Sequence, residues 1–281
     1  MSTTALCLYH ANCVDGFAAA YIVYHALAGQ VELRPVHYQE PPPPMADIAR
    51  RDVIIVDFSY PPQIIREMAW HATSILILDH HASAKKAWDI ATEKFKMPAN
   101  VVARFDLKHC GAMLAWKHFS YPLQPPLWLQ HVEDYDLWQF ALPQTRVINA
   151  ALSFYTRDIE TWDKVLQSVK WPELIEIGDI LLQSRTSTIQ FFAKNSSLST
   201  LGGHIVPTAN VPPDFANDVG NILAQGWPFA VTYWNGPQYR YLSLRSAPDG
   251  MNVAEIAEGF GGGGHHHAAG FRLPLPTNVI V

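Results

Sequence analysis

Ser74-Ile75-Leu76-Ile77-Leu78-Asp79-His80-His81 decides how this chain is read. The apolar run is too short for a helix and shows no polar alternation. Such a run fits a strand buried on both faces, which occurs in a parallel sheet with helices packed on each side. It stops abruptly at an acid and two imidazoles. The same pattern occurs twice upstream. Ala5–Tyr9 ends at His10, with Asp15-Gly16 five residues on, and Val53–Val56 ends at Asp57. In a parallel α/β sheet the carboxyl ends of the strands line the ligand crevice. A single Asp after a strand is ordinarily a cap or turn residue. Three strand ends carrying only oxygen and imidazole ligands point instead to a divalent cation of the Mn²⁺ or Fe²⁺ type, not to a structural zinc.

Working outward, strand and helix patterns alternate. A helix is expected over Asp15–Leu27 and a second strand over Val31–Tyr38. Pro41–Pro44 breaks the chain before a short helix at Ala46–Arg50. Pro61-Pro62 opens another helix, a favourable place for proline. A further strand is expected over Asn100–Phe105. This is the pattern of a doubly wound α/β parallel sheet. Helical patterns then dominate from Gly111 to about Asn195, and Leu174–Asn195 reads as a connecting helix. Composition changes at Ser196-Ser197-Leu198-Ser199-Thr200-Leu201-Gly202-Gly203. Beyond it Ala230–Trp234 and Tyr239–Arg245 flank Asn235-Gly236, a hairpin signal, and Val253–Gly259 reads as helix. The expected organisation is a catalytic metal-binding domain over 1–185, a linker over 186–199, and a smaller α/β domain with a mixed sheet over 200–281.

Composition narrows the function. The 281 residues carry a formal charge of −5, and 49% are hydrophobic, enough for a substantial core. The acidic balance argues against a long, sequence-independent grip on nucleic acid, and no long duplex DNA is expected as partner. A short oligonucleotide remains compatible, because bound metals themselves neutralise phosphate. Cys7, Cys13 and Cys110 are odd in number and lack a Cys-x-x-Cys spacing, which fits a reducing compartment. Met1-Ser2-Thr3 and the residues after it do not read as a signal peptide, and Phe17–Ala28 is too short to span a bilayer. A cytoplasmic protein with no membrane partner is the expectation, with a homodimer allowed.

His10, Asp15, Asp57, Asp79, His80 and His81 supply ligands enough for two ions. A carboxylate on the central strand end can bridge a pair about 3.5–4 Å apart, the spacing used for phosphoryl transfer. Further on, Glu133-Asp134-Tyr135-Asp136 places acids near a helix end, and Asp134 or Asp136 could complete the set. A second outlier is Gly261-Gly262-Gly263-Gly264-His265-His266-His267-Ala268-Ala269-Gly270. Glycines let backbone N–H groups approach an anion, and an imidazole can donate to phosphate. Arg245-Ser246 upstream is a natural phosphate donor pair. Six of the 13 histidines fall in these two constellations, a concentration that favours chemistry over scattered core histidines. The chain has no G-x-G-x-x-G, no G-x-x-x-x-G-K-[ST] and no G-x-S-x-G.

At these residues the chain resembles the DHH phosphoesterase superfamily. Asp79-His80-His81 matches the naming motif. His10…Asp15-Gly16 matches the first motif, Asp57 the second, and Asp134 or Asp136 the fourth. Gly262-Gly263-Gly264-His265-x-x-Ala268-Ala269-Gly270 matches the signature of the C-terminal DHH-associated domain. His109-Cys110-Gly111-Ala112 is similar to the helix start that follows the DHH motif. The resemblance covers nearly the whole chain. It departs at the first motif, usually His-x-x-x-Asp-x-Asp. Here His10-Ala11-Asn12-Cys13-Val14-Asp15 puts Cys13 where the first Asp is expected, one residue closer to the histidine.

The resemblance implies a Mn²⁺-dependent two-metal phosphoesterase, with Mg²⁺, Co²⁺ or Fe²⁺ as alternative ions. It implies a dinucleotide or short oligonucleotide as substrate and nucleoside 5′-monophosphates as products. Asp57 would bridge the ions. His10, Asp15, Asp79 or His80, and Asp134 or Asp136 would complete their shells. His81 would orient them or protonate the leaving oxygen. Arg245, Ser246, Gly263, Gly264 and His265 would hold the substrate phosphate. The rival readings are a cyclic-dinucleotide phosphodiesterase, a polyphosphatase or pyrophosphatase, and a catalytically inactive nucleotide-binding module.

Overall fold

The computed structural model describes residues 4–11, 13–37 and 40–277. Met1-Ser2-Thr3, Asn12 of the first motif, and Tyr38, the expected end of the second strand, lie outside the described residues. The chain divides into two compact units, Met1–Leu182 and Gln183–Val281.

The first unit is wound around five parallel strands: β1 (Ala5–His10), β2 (Val31–Val36), β3 (Asp52–Val56), β4 (Ser74–Asp79) and β5 (Val101–Phe105). Their order is β2-β1-β3-β4-β5. The intervening helices are α1 (Val14–Ala26), α2 (Met45–Ile48), α3 (Pro62–Ala69) and α4 (Ala82–Lys94). A helical run follows: α5 (Gly111–Phe119), α6 (Leu127–Asp136), α7 (Thr145–Phe154), α8 (Ile159–Ser168) and the long α9 (Trp171–Lys194), which crosses the boundary between the units.

The period-2 geometry of a strand explains why these segments lack polar alternation. Leu6, Leu8, Val53, Ile55, Ile75 and Ile77 belong to one core, with Ile48, Ile65 and Met68 from α2 and α3. Their alternate neighbours Cys7, Tyr9, Ile54, Val56 and Leu78 belong to another, with Phe17, Ala18, Met113 and Trp162 from α1, α5 and α8. In β1, β3 and β4 both faces are therefore covered, and polar residues are confined to the strand ends. The short run at 45–48 is one turn, because Pro44 precedes it and Arg50 takes a positive φ of 59°.

The strand order reverses between β1 and β3, which pair with each other while β2 and β4 lie on opposite sides. The crevice at such a switch point is where parallel sheets bind ligands. His10 ends β1 and Asp57 follows β3, so sheet topology alone puts an imidazole and a carboxylate on its two walls.

The second unit holds a six-stranded mixed sheet, ordered β10-β11-β9-β8-β7-β6. Its strands are β6 (Ser197–Leu201), β7 (His204–Asn210), β8 (Ala230–Asn235), β9 (Tyr239–Arg245), β10 (Gly263–His265) and β11 (Ala268–Pro274). Only β7 and β8 pair in parallel. Helices α10 (Ala216–Leu223) and α11 (Val253–Glu258) supply its cores, around Val219 and Val253. Arg185 on α9 pairs with Asp218 on α10 at 2.7 Å. Residues 186–199 are the last turns of α9 and the start of β6.

One local reading changes. The Asn235-Gly236 hairpin exists, but its loop is three residues, Gly236–Gln238, closed by Gly236 N–H donating to Tyr239 O at 2.8 Å. The glycine-rich segment is part of the sheet. Gly263, Gly264 and His265 pair in register with Gly270, Ala269 and Ala268 as a β-hairpin. A Cβ at Gly262 would stand 2.2 Å from Gly270 O, and one at Gly264 2.5 Å from Ala269 Cα. These glycines are needed for the close approach of two strands, whatever else they bind.

Ile77 is fully buried in the middle of β4. Ile77→Ala is expected to lower unfolding free energy by about 2–5 kcal/mol. Trp70→Ala, at a side chain 77% exposed, is expected to change it by under about 0.5 kcal/mol. Equilibrium denaturation of both variants checks this.

Candidate metal centre

The cluster is assembled where the starts of α1 and α5 and the end of α6 close on three strand ends, those of β1, β3 and β4. Asp15 lies in the first turn of α1 and is 2% exposed. Its carboxylate accepts from Gly111 N–H at 2.6 Å and Ala112 N–H at 2.9 Å, the first two residues of α5. A carboxylate on a helix N-terminus answers both the unpaired donors and the dipole. Cys110 caps the same helix, accepting from Met113 N–H through Sγ at 3.5 Å. Gly111 is obligatory here: a Cβ would lie 2.5 Å from Asp57 Cβ. Gly16 is equally constrained, with a Cβ 2.2 Å from His10 O. Asp57 itself takes φ 61°, a left-handed conformation that Asp tolerates better than most residues.

Asp57 is the hub. Its Oδ2 lies 3.3 Å from His10 Nδ1, and its Oδ1 lies 3.1 Å from His80 Nε2. The same His80 nitrogen is 3.8 Å from Asp15 Oδ2 and 3.5 Å from Asp136 Oδ2. Three groups of ligand atoms lie within 4.8 Å of one another: His10, Cys13 and Asp57; Asp57, His80 and His81; Asp15, His80 and Asp136.

The charges in this cluster are incompletely balanced. Asp15 and Asp136 have carboxylate oxygens within 4.8 Å of each other. At that limit two such charges repel by about 3–4 kcal/mol at an effective dielectric near 20. Burial, with the charges of Asp57 and Asp136, pushes Asp15 well above the usual carboxylate range. Burial and Asp57 push Asp136 up to about 6. Burial opposes ionisation of Asp57 too, but His10 and His80 hold it well below the usual range. Burial works against a charged His80, yet Asp57 and Asp136 outweigh it and raise its pKa. Burial pushes the Cys13 thiol well up, and Asp57, Asp15 and Asp136 add to this.

The donor set fits a divalent cation. Asp57 Oδ2, Asp79 Oδ2 and Asp136 Oδ2 are buried without a hydrogen-bond partner. Orphaned buried carboxylate oxygens are costly, and a cation among them would relieve both the missing partners and the repulsion.

One expected ligand does other work, and a second does so with one of its two oxygens. Asp134 lies outside the cluster. Its carboxylate accepts from Ala141 N–H at 2.8 Å, Leu142 N–H at 3.1 Å and the Thr145 hydroxyl. Burial disfavours its charge, but these donors outweigh burial and lower its pKa. Thr145 gives its only proton to Asp134, so His131 Nδ1, 2.9 Å from Thr145 Oγ1, must be the donor to it. Sequence spacing left Asp134 and Asp136 open; on α6 the two face different surroundings, and only Asp136 meets His80. Asp79, fully buried, also stands apart from the three groups. Its Oδ1 accepts from His80 N–H at 2.7 Å, His81 N–H at 3.1 Å and His81 Nδ1–H at 2.7 Å, while Oδ2 is left without a partner. Burial opposes a charged His81, but Asp79 prevails and raises its pKa to about 9.

Sequence reading missed the loop that Asp134 holds. Trp138 and Phe140 both take positive φ, 56° and 51°, an uncommon conformation for bulky side chains. Their rings meet at 4.8 Å, and the Arg146 guanidinium lies 3.7 Å from the Phe140 centroid and 5.3 Å from that of Trp138. Trp138 is 51% exposed and only two residues from Asp136. The signal was Leu137-Trp138-Gln139-Phe140 directly after the acids.

In the second unit, His265 is exposed on the hairpin. Ser246 is buried, and its Oγ lies 2.9 Å from His267 Nδ1. His267 is thus tied to the strand-end serine. Arg245 donates to Leu244 O at 2.7 Å and to Asn217 Oδ1. A Cβ at Gly220 would stand 2.9 Å from Arg245 Cγ. Trp234 and Tyr241 stack on each other as a cross-strand pair, at 5.3 Å and 9°.

No protein-family model matches the chain. An uncharacterized protein, R106 of Acanthamoeba polyphaga mimivirus, is 29% identical over 289 residues, covering 95% of this chain. The chain spans 66% of that relative's length. Among solved structures it resembles the pGpG-specific phosphodiesterase PggH of Vibrio cholerae, with TM-score 0.56 and 13% identity over 96% of this chain and 94% of that one. It also resembles exonuclease RecJ bound to manganese, with TM-score 0.54 and 15% identity over 96% and 86%. The Thermus thermophilus RecJ in complex with Mn²⁺ gives TM-score 0.51 and 16% identity over 97% and 50%. These likenesses are of fold: the chain is folded like PggH and RecJ. Among the described residues no helix is long and apolar enough to cross a membrane.

Substitutions should separate the two acids of α6. Asp134→Ala leaves buried donors unpaired and is expected to cost about 1–3 kcal/mol of stability, with the stoichiometry of bound divalent cation unchanged. Asp136→Asn is expected to do the reverse: it removes a repelling charge, leaves stability equal or higher without metal, and lowers cation binding. Denaturation curves and equilibrium dialysis with Mn²⁺ read both effects.

Gly111→Ala is expected to lower both stability and cation binding, because α5 must move away from Asp57 and Asp15. The same two measurements test it.

Proposed function

We propose that this chain is a metal-dependent phosphoesterase that hydrolyses short linear oligonucleotides, dinucleotides above all, to nucleoside 5′-monophosphates. The observation that carries the reading is the cluster of His10, Asp15, Asp57, His80 and Asp136 around unpartnered carboxylate oxygens at the sheet's switch point. These residues would hold the ions. Bound divalent cations supply charge neutralisation for the phosphate and acidify a water. Mn²⁺ is the proposed ion, as in the RecJ structures of like fold.

The chain's own groups divide the remaining work. Asp57 presents one oxygen towards His10 and the other towards His80, the disposition of a bridging carboxylate. Asp79 accepts from His81 Nδ1–H and favours the imidazolium, whose Nε2–H would give its proton to the leaving oxygen. In the second unit Arg245, Ser246, Gly263, Gly264 and His265 are the proposed phosphate contacts.

A nucleotide is favoured over an inorganic chain by the exposed Trp138 with Arg146, two residues past Asp136. An aromatic face beside a cation suits a base adjoining a phosphate. The fold neighbour PggH carries a linear dinucleotide, pGpG, in its name.

The experiment is hydrolysis of a 5′-phosphorylated dinucleotide with Mn²⁺, alongside a cyclic dinucleotide and polyphosphate, with products separated by chromatography. Monophosphate formation is expected, abolished by chelation and by Asp57→Asn. His81→Ala is expected to lower kcat about 10²–10⁴-fold, the range of general acid catalysis. Trp138→Ala should raise KM for the dinucleotide about tenfold, as loss of one stacked base implies, and leave any polyphosphate cleavage untouched. Phosphate release from polyphosphate with the dinucleotide intact would move the chain to the phosphatase reading. Metal binding without turnover of any substrate would leave a nucleotide-binding module.

A further inference from the structure

The departure from the first motif sits inside the cluster. Cys13 precedes α1 in extended conformation, at φ −115° and ψ 140°. Its Sγ lies within 4.8 Å of the ligand atoms of His10 and Asp57. Asp57 is 1% exposed, and its Oδ2, the oxygen nearer His10, has no hydrogen-bond partner. The other two cysteines are placed differently: Cys7 is sealed in the core of β1, and Cys110 caps α5.

The two sides of Asp57 therefore differ in chemistry. The Oδ1 side offers His80, with Asp15 and Asp136 beyond it, all oxygen and nitrogen donors. His10 stands at Oδ2, and the group it forms with Asp57 adds a sulfur, that of Cys13. Thiolate favours Zn²⁺ and similar borderline ions, whereas carboxylate and water suit Mn²⁺ and Mg²⁺.

We infer that Cys13 is a thiolate ligand to the ion on the His10 side of Asp57, making this a centre with one soft and one hard position. On binding, the thiol proton passes to solvent, and the sulfur replaces one water on the ion, as metal coordination of thiols requires. The inference rests on the metal-centre reading above and adds to it a preference for Zn²⁺, Co²⁺ or Fe²⁺ at one position.

Metal-free full-length protein is titrated with Co²⁺, bound cobalt is counted by equilibrium dialysis, and the absorption spectrum is recorded. The expected result is an intense near-ultraviolet sulfur-to-cobalt band that saturates with one equivalent. The band is lost in Cys13→Ser and kept in Cys110→Ser. Cys13→Asp, which restores a hard ligand, binds cobalt without the band and shifts competition between Zn²⁺ and Mn²⁺ towards Mn²⁺. Circular dichroism confirms that each variant is folded. Cobalt bound by the unsubstituted protein without the band would overturn the role of Cys13 and leave the metal centre standing. A band that survives in Cys13→Ser would do the same. Absence of cobalt binding would overturn the metal-centre reading and the inference together.

Discussion

The two hydrogen bonds from Gly111 and Ala112 to the Asp15 carboxylate tie the first turn of α1 to the first turn of α5. Both helices begin beside the ends of β1 and β3, so this contact closes the crevice over Asp57. It needs a residue without a side chain at position 111, because Asp57 occupies the space where a Cβ would go. It also needs Asp57 to leave β3 through a left-handed φ. Neither condition serves packing. Non-glycine residues with positive φ cluster where a backbone is held for function, and this one carries the side chain shared by two ligand groups.

The cluster places carboxylates closer than they would stand if stability alone mattered. Asp15 and Asp136 share one imidazole nitrogen with Asp57, and burial deprives all three of water. Without a cation the protein copes by raising the pKa of Asp15 and Asp136 and by drawing protons onto His80 and His81. A divalent ion reverses that balance, since it favours every ionised ligand at once. Asp79 and Asp134 are the supporting counterparts. Asp134 spends both oxygens on backbone donors and Thr145 and so fixes the aromatic loop after α6; Asp79 fixes the His80-His81 corner through Oδ1 alone and keeps Oδ2 unpartnered.

The glycine-rich hairpin follows a related logic in the second unit. Its strands approach so closely that side chains at 262 and 264 would collide with the opposite backbone. Glycine here answers to strand pairing as well as to any anion, and the ladder pins His265 at an exposed position. Ser246 and His267 lock the adjoining strand ends.

Much of this was legible in the residues alone. Apolar runs without alternation determined a doubly covered parallel sheet, because such strands have no face that water can wet. The His and Asp residues that end those runs determined a ligand crevice, because the carboxyl ends of parallel strands converge there. Tertiary structure alone decided the division of labour among the acids. Asp134 and Asp136 are alike in sequence spacing, yet one meets Thr145 and the backbone of a loop while the other meets His80. Asp79 reads as a ligand, and the fold has the backbone of its own turn hold one of its oxygens while the other stands unpartnered. Cys13 reads as a lapse in a motif until the fold brings its sulfur beside His10 and Asp57. Linear order records which groups are present; which donors each one faces depends on where α5, α6 and the loop after it come to rest, and that is set by packing between residues far apart in the chain.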